Sequence, residues 1–316
     1  MRQFALAIFI LLIFNSCSNK QSQASLEEVS DQYVEVRGSR IYYKEMGEGD
    51  PILFVHGNLT HSYLWREVMP KMAKYGRCIA VDLIGMGKSD RPAIAYNILD
   101  HNDYFFEFIN KLGLKNVILV GNEWGATLSM NYFAMTDHNV RGLVMMEPVM
   151  GGATATELMS SANPLLRQYG MLRQDSKLDK KVLEENILFD EILPQFVINP
   201  LTEKAKNEYE KPFVDNKDQM PLLSLFEALP INGKPRASIT YLTSLRGPLY
   251  SIDKPKLLLK SDNSYYLSPD GIDHMKNRMK GLSIKSIGKA GILIPEDRPE
   301  AVSDAIEQWY IKNFAN

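Results

Sequence analysis

The sequence predicts an α/β fold, a mostly parallel sheet covered by helices on both faces and interrupted late in the chain by an inserted helical cap. Three observations predict it. From Tyr33 onward, short β-rich runs alternate with amphipathic stretches at βαβ spacing. Glycine-punctuated turns follow three of those runs. Between about Gly151 and Pro235 the alternation stops, and prolines from Pro164 to Pro235 break up helix-like segments without strands. These features divide the chain into residues 1–16, a polar tether over 17–32, a core over 33–150 and 236–316, and a cap over 151–235.

The first segment reads as an address rather than as fold. Arg2 precedes an apolar run from Phe4 to Phe14, and Asn15-Ser16 precede Cys17, the layout of an export signal peptide. The run falls short of the roughly 20 residues that span a bilayer. A cysteine after a small residue at this point resembles the lipobox of bacterial lipoproteins, which implies lipidation of Cys17 and anchoring to a membrane. Cleavage without lipid, giving a periplasmic or secreted protein, and an uncleaved anchor are the alternatives. The stretch after Cys17 is polar and aperiodic, a flexible tether of roughly 15 residues reaching on the order of 20 Å.

The core elements follow in order. Strands are expected over Tyr33–Val36, Arg40–Lys44 and Ile52–Val55, the first two pairing antiparallel at an edge. A helical stretch over His61–Tyr75 leads to a strand at Cys78–Val81. A helix from about Ile98 to Leu112 precedes strands at Asn116–Val120 and Gly142–Met146. After the cap, the rhythm resumes with Pro255–Leu259, a helix near Pro269–Met279, a strand at Leu282–Ile287 and a closing amphipathic helix over Arg298–Phe314.

Composition narrows the function classes. Of 316 residues, 45% are hydrophobic and 23% charged, which is globular rather than disordered or fibrous. A net charge of -2 with interspersed signs supplies no basic field for nucleic acid. The two cysteines, Cys17 and Cys78, offer neither a disulfide framework nor a zinc spacing.

In an open α/β sheet, ligands bind beyond the carboxyl ends of the strands. Three such ends carry chemistry here. Ile52–Val55 runs into His56-Gly57-Asn58, and Cys78–Val81 runs into Asp82-Leu-Ile-Gly-Met-Gly-Lys-Ser-Asp90. The third, Gly121-Asn122-Glu123-Trp124-Gly125, places small residues where a sharp strand-to-helix elbow needs them and aims Glu123 into the cleft.

With Ser62-Tyr-Leu-Trp-Arg66, Asp82 to Pro92, Tyr104 to Ile109, Met146-Glu147-Pro148 and Pro200-Leu-Thr-Glu203, these motifs resemble the haloalkane dehalogenases of the α/β-hydrolase superfamily. The resemblance runs over essentially the whole mature chain. It implies an eight-stranded, mostly parallel sheet, a largely apolar pocket under the cap, a small apolar or halogenated ligand, and no cofactor. In that family an elbow aspartate displaces halide to form an ester, and a histidine-activated water hydrolyses it. Asn58 and Trp124 match the pair that holds the halide, and Glu147 matches the acid that orients the histidine.

Two positions depart from the pattern. The elbow holds Glu123 rather than Asp, preceded by Asn122 rather than His. The loop from Gly288 to Asp297 places Ile292 at the position of the catalytic histidine. One extra methylene moves a carboxylate by roughly 1.5 Å and impairs attack by about a hundredfold. Loss of the base removes a contribution on the order of 10²–10⁴-fold.

The expectation is therefore a dehalogenase relative with degenerate catalytic positions that lacks ordinary hydrolytic turnover. It would bind a small apolar molecule or transform it without hydrolysis. A true hydrolase with an unrecognised base and a non-catalytic interaction lipoprotein are the alternatives. Glu123 and Glu147 could also act as a carboxyl pair in acid–base chemistry, or Glu123 could simply hydrogen-bond to Asn58 or Trp124. Asp262 is a further acid near the sheet top. The histidines at 61, 101, 138 and 274 are expected on the surface or at helix caps.

Overall fold

A computed structural model describes residues 29–315. The export segment 1–16, Cys17 and most of the expected tether lie outside the described residues. The tether ends earlier than expected, because β1 begins at Ser30 and pairs it with Glu45.

The strands are β1 Ser30–Val36, β2 Ser39–Met46, β3 Pro51–Val55, β4 Arg77–Val81, β5 Val117–Asn122, β6 Val140–Met146, β7 Lys256–Lys260 and β8 Leu282–Ser286. They form one eight-stranded sheet in the order β1-β2-β4-β3-β5-β6-β7-β8. β2 runs antiparallel to both β1 and β4, and every other pairing is parallel. The central strands are buried and almost wholly apolar, half-buried Arg141 and the terminal Asn122 apart, as a sheet covered on both faces requires. All the parallel strands end at one edge, which brings Asn58, Glu123 and Glu147 to the same side of the molecule.

The expected helix over His61–Tyr75 is broken. Ser62–Trp65 forms a 3₁₀ turn and Met69–Met72 a single α turn. Pro70 lacks the N–H that a continuous helix would use, and the Asp82 carboxylate takes the Ser62 N–H at 2.7 Å.

Between β6 and β7 the chain makes a helical excursion. Ala153 and Ile231 close its base as a parallel bridge, with Ala153 N–H donating to Pro230 O at 3.0 Å and Asn232 N–H to Ala153 O at 2.9 Å. The helices Pro164–Leu172 and Met220–Ala228 within it matter for the site. The later helices Arg236–Ser244 and Arg246–Ser251 pack on the core helices Ile98–Lys111 and Trp124–Met135.

Candidate active site at the strand ends

Glu123 stands at the elbow between β5 and the helix Trp124–Met135, with φ 55° and ψ −123°. This backbone region is costly for a non-glycine residue. The packing that enforces it is tight. A Cβ on Gly125 would strike the carbonyl oxygens of Val55 and His56, and one on Gly57 would strike the Glu123 side chain.

With the space cleared, Glu123 Oε2 accepts the backbone N–H of Asn58 at 2.9 Å and of Trp124 at 2.6 Å. Two donors from two strand ends thus converge on one oxygen, the geometry that stabilises an oxyanion, and the protein's own carboxylate fills it. Glu123 is 2% exposed. Burial pushes its carboxyl up to about 7, against the pull of the two N–H bonds.

Glu147, just past β6, has φ 43°. Among the described residues, Glu123 and Glu147 are the only acids at positive φ. Glu147 Oε2 accepts Ser264 Oγ at 3.0 Å and the N–H groups of Tyr265 and Tyr266 at 2.9 and 3.2 Å. Its Oε1 is buried without a partner, and burial raises its pKa. Asp262 does not join this site. It is exposed and accepts Ser286 Oγ at 2.7 Å.

The side chains of Asn58 and Trp124 are already engaged. Asn58 Nδ2 donates to Leu222 O at 3.0 Å, and Trp124 Nε1 donates to Leu225 O at 3.1 Å. Both carbonyls belong to the helix Met220–Ala228, which therefore occupies both side-chain N–H groups.

Ile292 is fully buried, and its carbonyl accepts Asn122 Nδ2 at 2.9 Å. Among the described residues, no histidine hydrogen-bonds to Glu123 or Glu147. His56 uses both ring nitrogens between strand ends, with Gly57 O at 2.7 Å and Leu83 N–H at 2.9 Å, and burial holds its pKa down to about 4. His61 caps the turn at Ser62 and contacts Glu208 O at 2.9 Å. His101 is buried rather than at the surface, and both its nitrogens lack partners. His138 and His274 are exposed.

Two tyrosines escaped the sequence reading. Tyr169, from the helix Pro164–Leu172, packs at a tilt against Phe226 with ring centroids 4.4 Å apart. Its phenol is pushed up by burial and by the charge of Glu123. Tyr266 is raised too, by burial and by Tyr169, Glu123 and Glu147. Nothing in their sequence surroundings marked either tyrosine. Among the described residues, no group of three His, Cys, Asp or Glu side chains could hold a metal ion.

The sheet order and the strained elbow define an α/β-hydrolase, and the sequence model of the alpha/beta hydrolase fold matches residues 50–281. Within that class, the chain is 31% identical to a haloalkane dehalogenase of Mesorhizobium japonicum, covering 87% of this chain and 89% of the relative. It is 29% identical to one of Agrobacterium fabrum, covering 88% and 91%. Among solved structures, the haloalkane dehalogenase DbeA from Bradyrhizobium elkani superposes with a TM-score of 0.86 at 31% identity, covering 91% of this chain and 99% of that one. DatA from Agrobacterium tumefaciens gives 0.85 at 29%, covering 90% and 97%. The chain belongs to the haloalkane dehalogenase family of the α/β-hydrolase superfamily.

Proposed function

We propose that this chain is a haloalkane-dehalogenase-fold protein without ordinary hydrolytic turnover, one that binds a small apolar molecule or transforms it without hydrolysis. The observation that carries this reading is Ile292, a buried aliphatic residue beside the elbow where the resemblance implies the histidine base. A carboxyl ester formed on Glu123 would then have no neighbouring base to activate water. The engagement of Asn58 and Trp124 by the helix Met220–Ala228 points the same way, because a departing halide would have to displace two protein carbonyls.

The test is incubation with brominated and iodinated alkanes, following free halide and intact protein mass together. No sustained halide release is expected. One alkyl adduct per chain, mapped to Glu123, would identify a nucleophile that attacks once. Continuous halide release would overturn the reading and require another base.

The position of Tyr266 favours a second reading. Tyr266 holds Glu147 through its backbone N–H at 3.2 Å, and its phenol is raised by burial and by the charges of Glu123 and Glu147. Two buried carboxyls with a phenol suit proton transfer in an isomerase or lyase rather than hydrolysis. Loss of ligand conversion in Tyr266→Phe with binding retained would separate it from a pure binding role.

We further propose, from residues 1–17 alone, that the protein is exported and anchored through lipid on Cys17. Incorporation of labelled palmitate that disappears in Cys17→Ser is the expected result. Unchanged labelling, or none in either chain, would remove the anchor.

A further inference from the structure

A cleft of about 710 Å³ lies apart from the carboxyl site, between the helix Arg246–Ser251, the turn after β7 and the helix Pro269–Arg278. Four cationic or protonatable residues line it, Arg246, His274, Arg278 and Lys280, and no acidic residue does. Among the described residues, none of the four takes part in an ion pair. Elsewhere on this surface Lys and Arg commonly find carboxylates, as Arg77 does with Glu45 and Lys181 with Asp175.

The cleft also has an apolar side. Leu267 and Met275 are buried in its wall and Met150 is partly buried. The Tyr250 ring lies 5.7 Å from that of His274. Arg246 is held at the rim by its bond to Met150 O at 2.7 Å, and a side chain added at Gly247 would enter open space.

We propose that this cleft binds a small organic anion, its carboxylate or phosphate head set against Arg246, Arg278 and Lys280 and its apolar body against Met150, Leu267 and Met275. Unpaired like charges around one cavity repel one another, and an anion relieves that repulsion. The guanidinium forks match carboxylate and phosphate oxygens in pairs. The site is independent of the function proposed for Glu123. The two share one wall, since Tyr266 lines the cleft while its backbone N–H holds Glu147.

Calorimetric titration of the purified full-length chain with hexanoate, hexyl phosphate and inorganic phosphate tests this. Binding of hexanoate or hexyl phosphate is expected. A preference for hexanoate assigns a carboxylate head, whereas a preference for hexyl phosphate together with binding of inorganic phosphate assigns a phosphate head. Arg278→Glu with Lys280→Glu should weaken binding by about tenfold or more. Lys276→Glu, on the same helix but outside the lining, should leave it unchanged. Should the double reversal fail to fold, Gly247→Asp supplies a carboxylate in open space and should weaken binding similarly. No heat from any of the three probes, or affinity indifferent to these charge changes, would overturn the proposal.

Discussion

The side-chain amide of Asn122 donates to the carbonyl oxygen of Ile292 at 2.9 Å, joining positions 170 residues apart. The end of β5 at the elbow and the loop after β8 thus meet in one bond. Asn122 Nδ2 also lies 3.4 Å from Met146 O, while its Oδ1 is buried without a partner. The site therefore uses Asn122 as a donor only, and what it secures is backbone, the loop that carries Ile292.

That asymmetry makes Asn122→Asp informative. An ionised aspartate would set a buried charge against two carbonyl oxygens, costing at least about 3 kcal/mol. A protonated one could still donate to Ile292 O. Its carboxyl pKa should therefore be raised in the folded state, so the variant should lose stability as pH rises. Urea denaturation between pH 5 and pH 8 (a range of about 3 units) measures this. A pH-independent loss would mean that the donor role is not what matters.

Glu123 makes a related prediction of its own. Its folded carboxyl is pushed up to about 7 from an ordinary 4.5, so between those values the folded chain holds a proton that the unfolded chain has released. Stability from this group is complete below the unfolded pKa and is lost as pH rises through the folded one. The loss is on the order of 3 kcal/mol. Glu123→Gln should remove this slope, so the stability difference between the two proteins should shift in favour of the variant from pH 4.5 to 7. A difference independent of pH would place the Glu123 carboxyl near its ordinary pKa.

Much of this architecture was legible in the sequence. All eight strands fall where apolar runs and turn residues place them: the central ones because a strand buried on both faces has to be apolar along its length, and the edge strands β1 and β8 because half-buried residues are interspersed with exposed ones. The elbow was legible from its glycines, since close backbone approach excludes a Cβ at Gly125. Pro70 interrupts the helix that the apolar spacing over His61–Tyr75 suggests, and His101 is buried although a polar residue on an amphipathic helix reads as surface. The engagement of Asn58 and Trp124 left no trace. The acceptors are backbone carbonyls of Leu222 and Leu225, and a carbonyl has no residue identity to read. Nor do the positive φ angles of Glu123 and Glu147 announce themselves, because they follow from tertiary packing rather than from side-chain preference.

His101 offers a stabilising change. It is fully buried on the helix Ile98–Lys111, neither ring nitrogen has a hydrogen bond, and burial holds its pKa down to about 3. Replacing an unsatisfied buried polar group by an apolar one recovers about 1–3 kcal/mol. His101→Leu should therefore raise the melting temperature. The gain should grow as pH falls below the ordinary histidine value of 6.5, where the unfolded wild-type chain takes up a proton that the folded chain refuses. A destabilised variant would show that the ring's shape is needed there.

The strongest test of the site is reversion. On the proposed reading, Glu123→Asp shortens the elbow carboxylate and Ile292→His supplies a base, so the double variant should release bromide from 1-bromohexane while each single variant stays silent. Its rate should nonetheless remain about 10² or more below that of the Agrobacterium fabrum dehalogenase measured alongside, the usual cost of a missing charge-stabilising donor. The reason is specific. Neither substitution frees Asn58 Nδ2 from Leu222 O or Trp124 Nε1 from Leu225 O, so the halide would leave without its two donors. Parity with the relative would mean that the helix Met220–Ala228 yields readily to a leaving halide. Silence from a folded double variant would place the divergence in the pocket itself, where Tyr169 packs against Phe226 and feels the charge of Glu123.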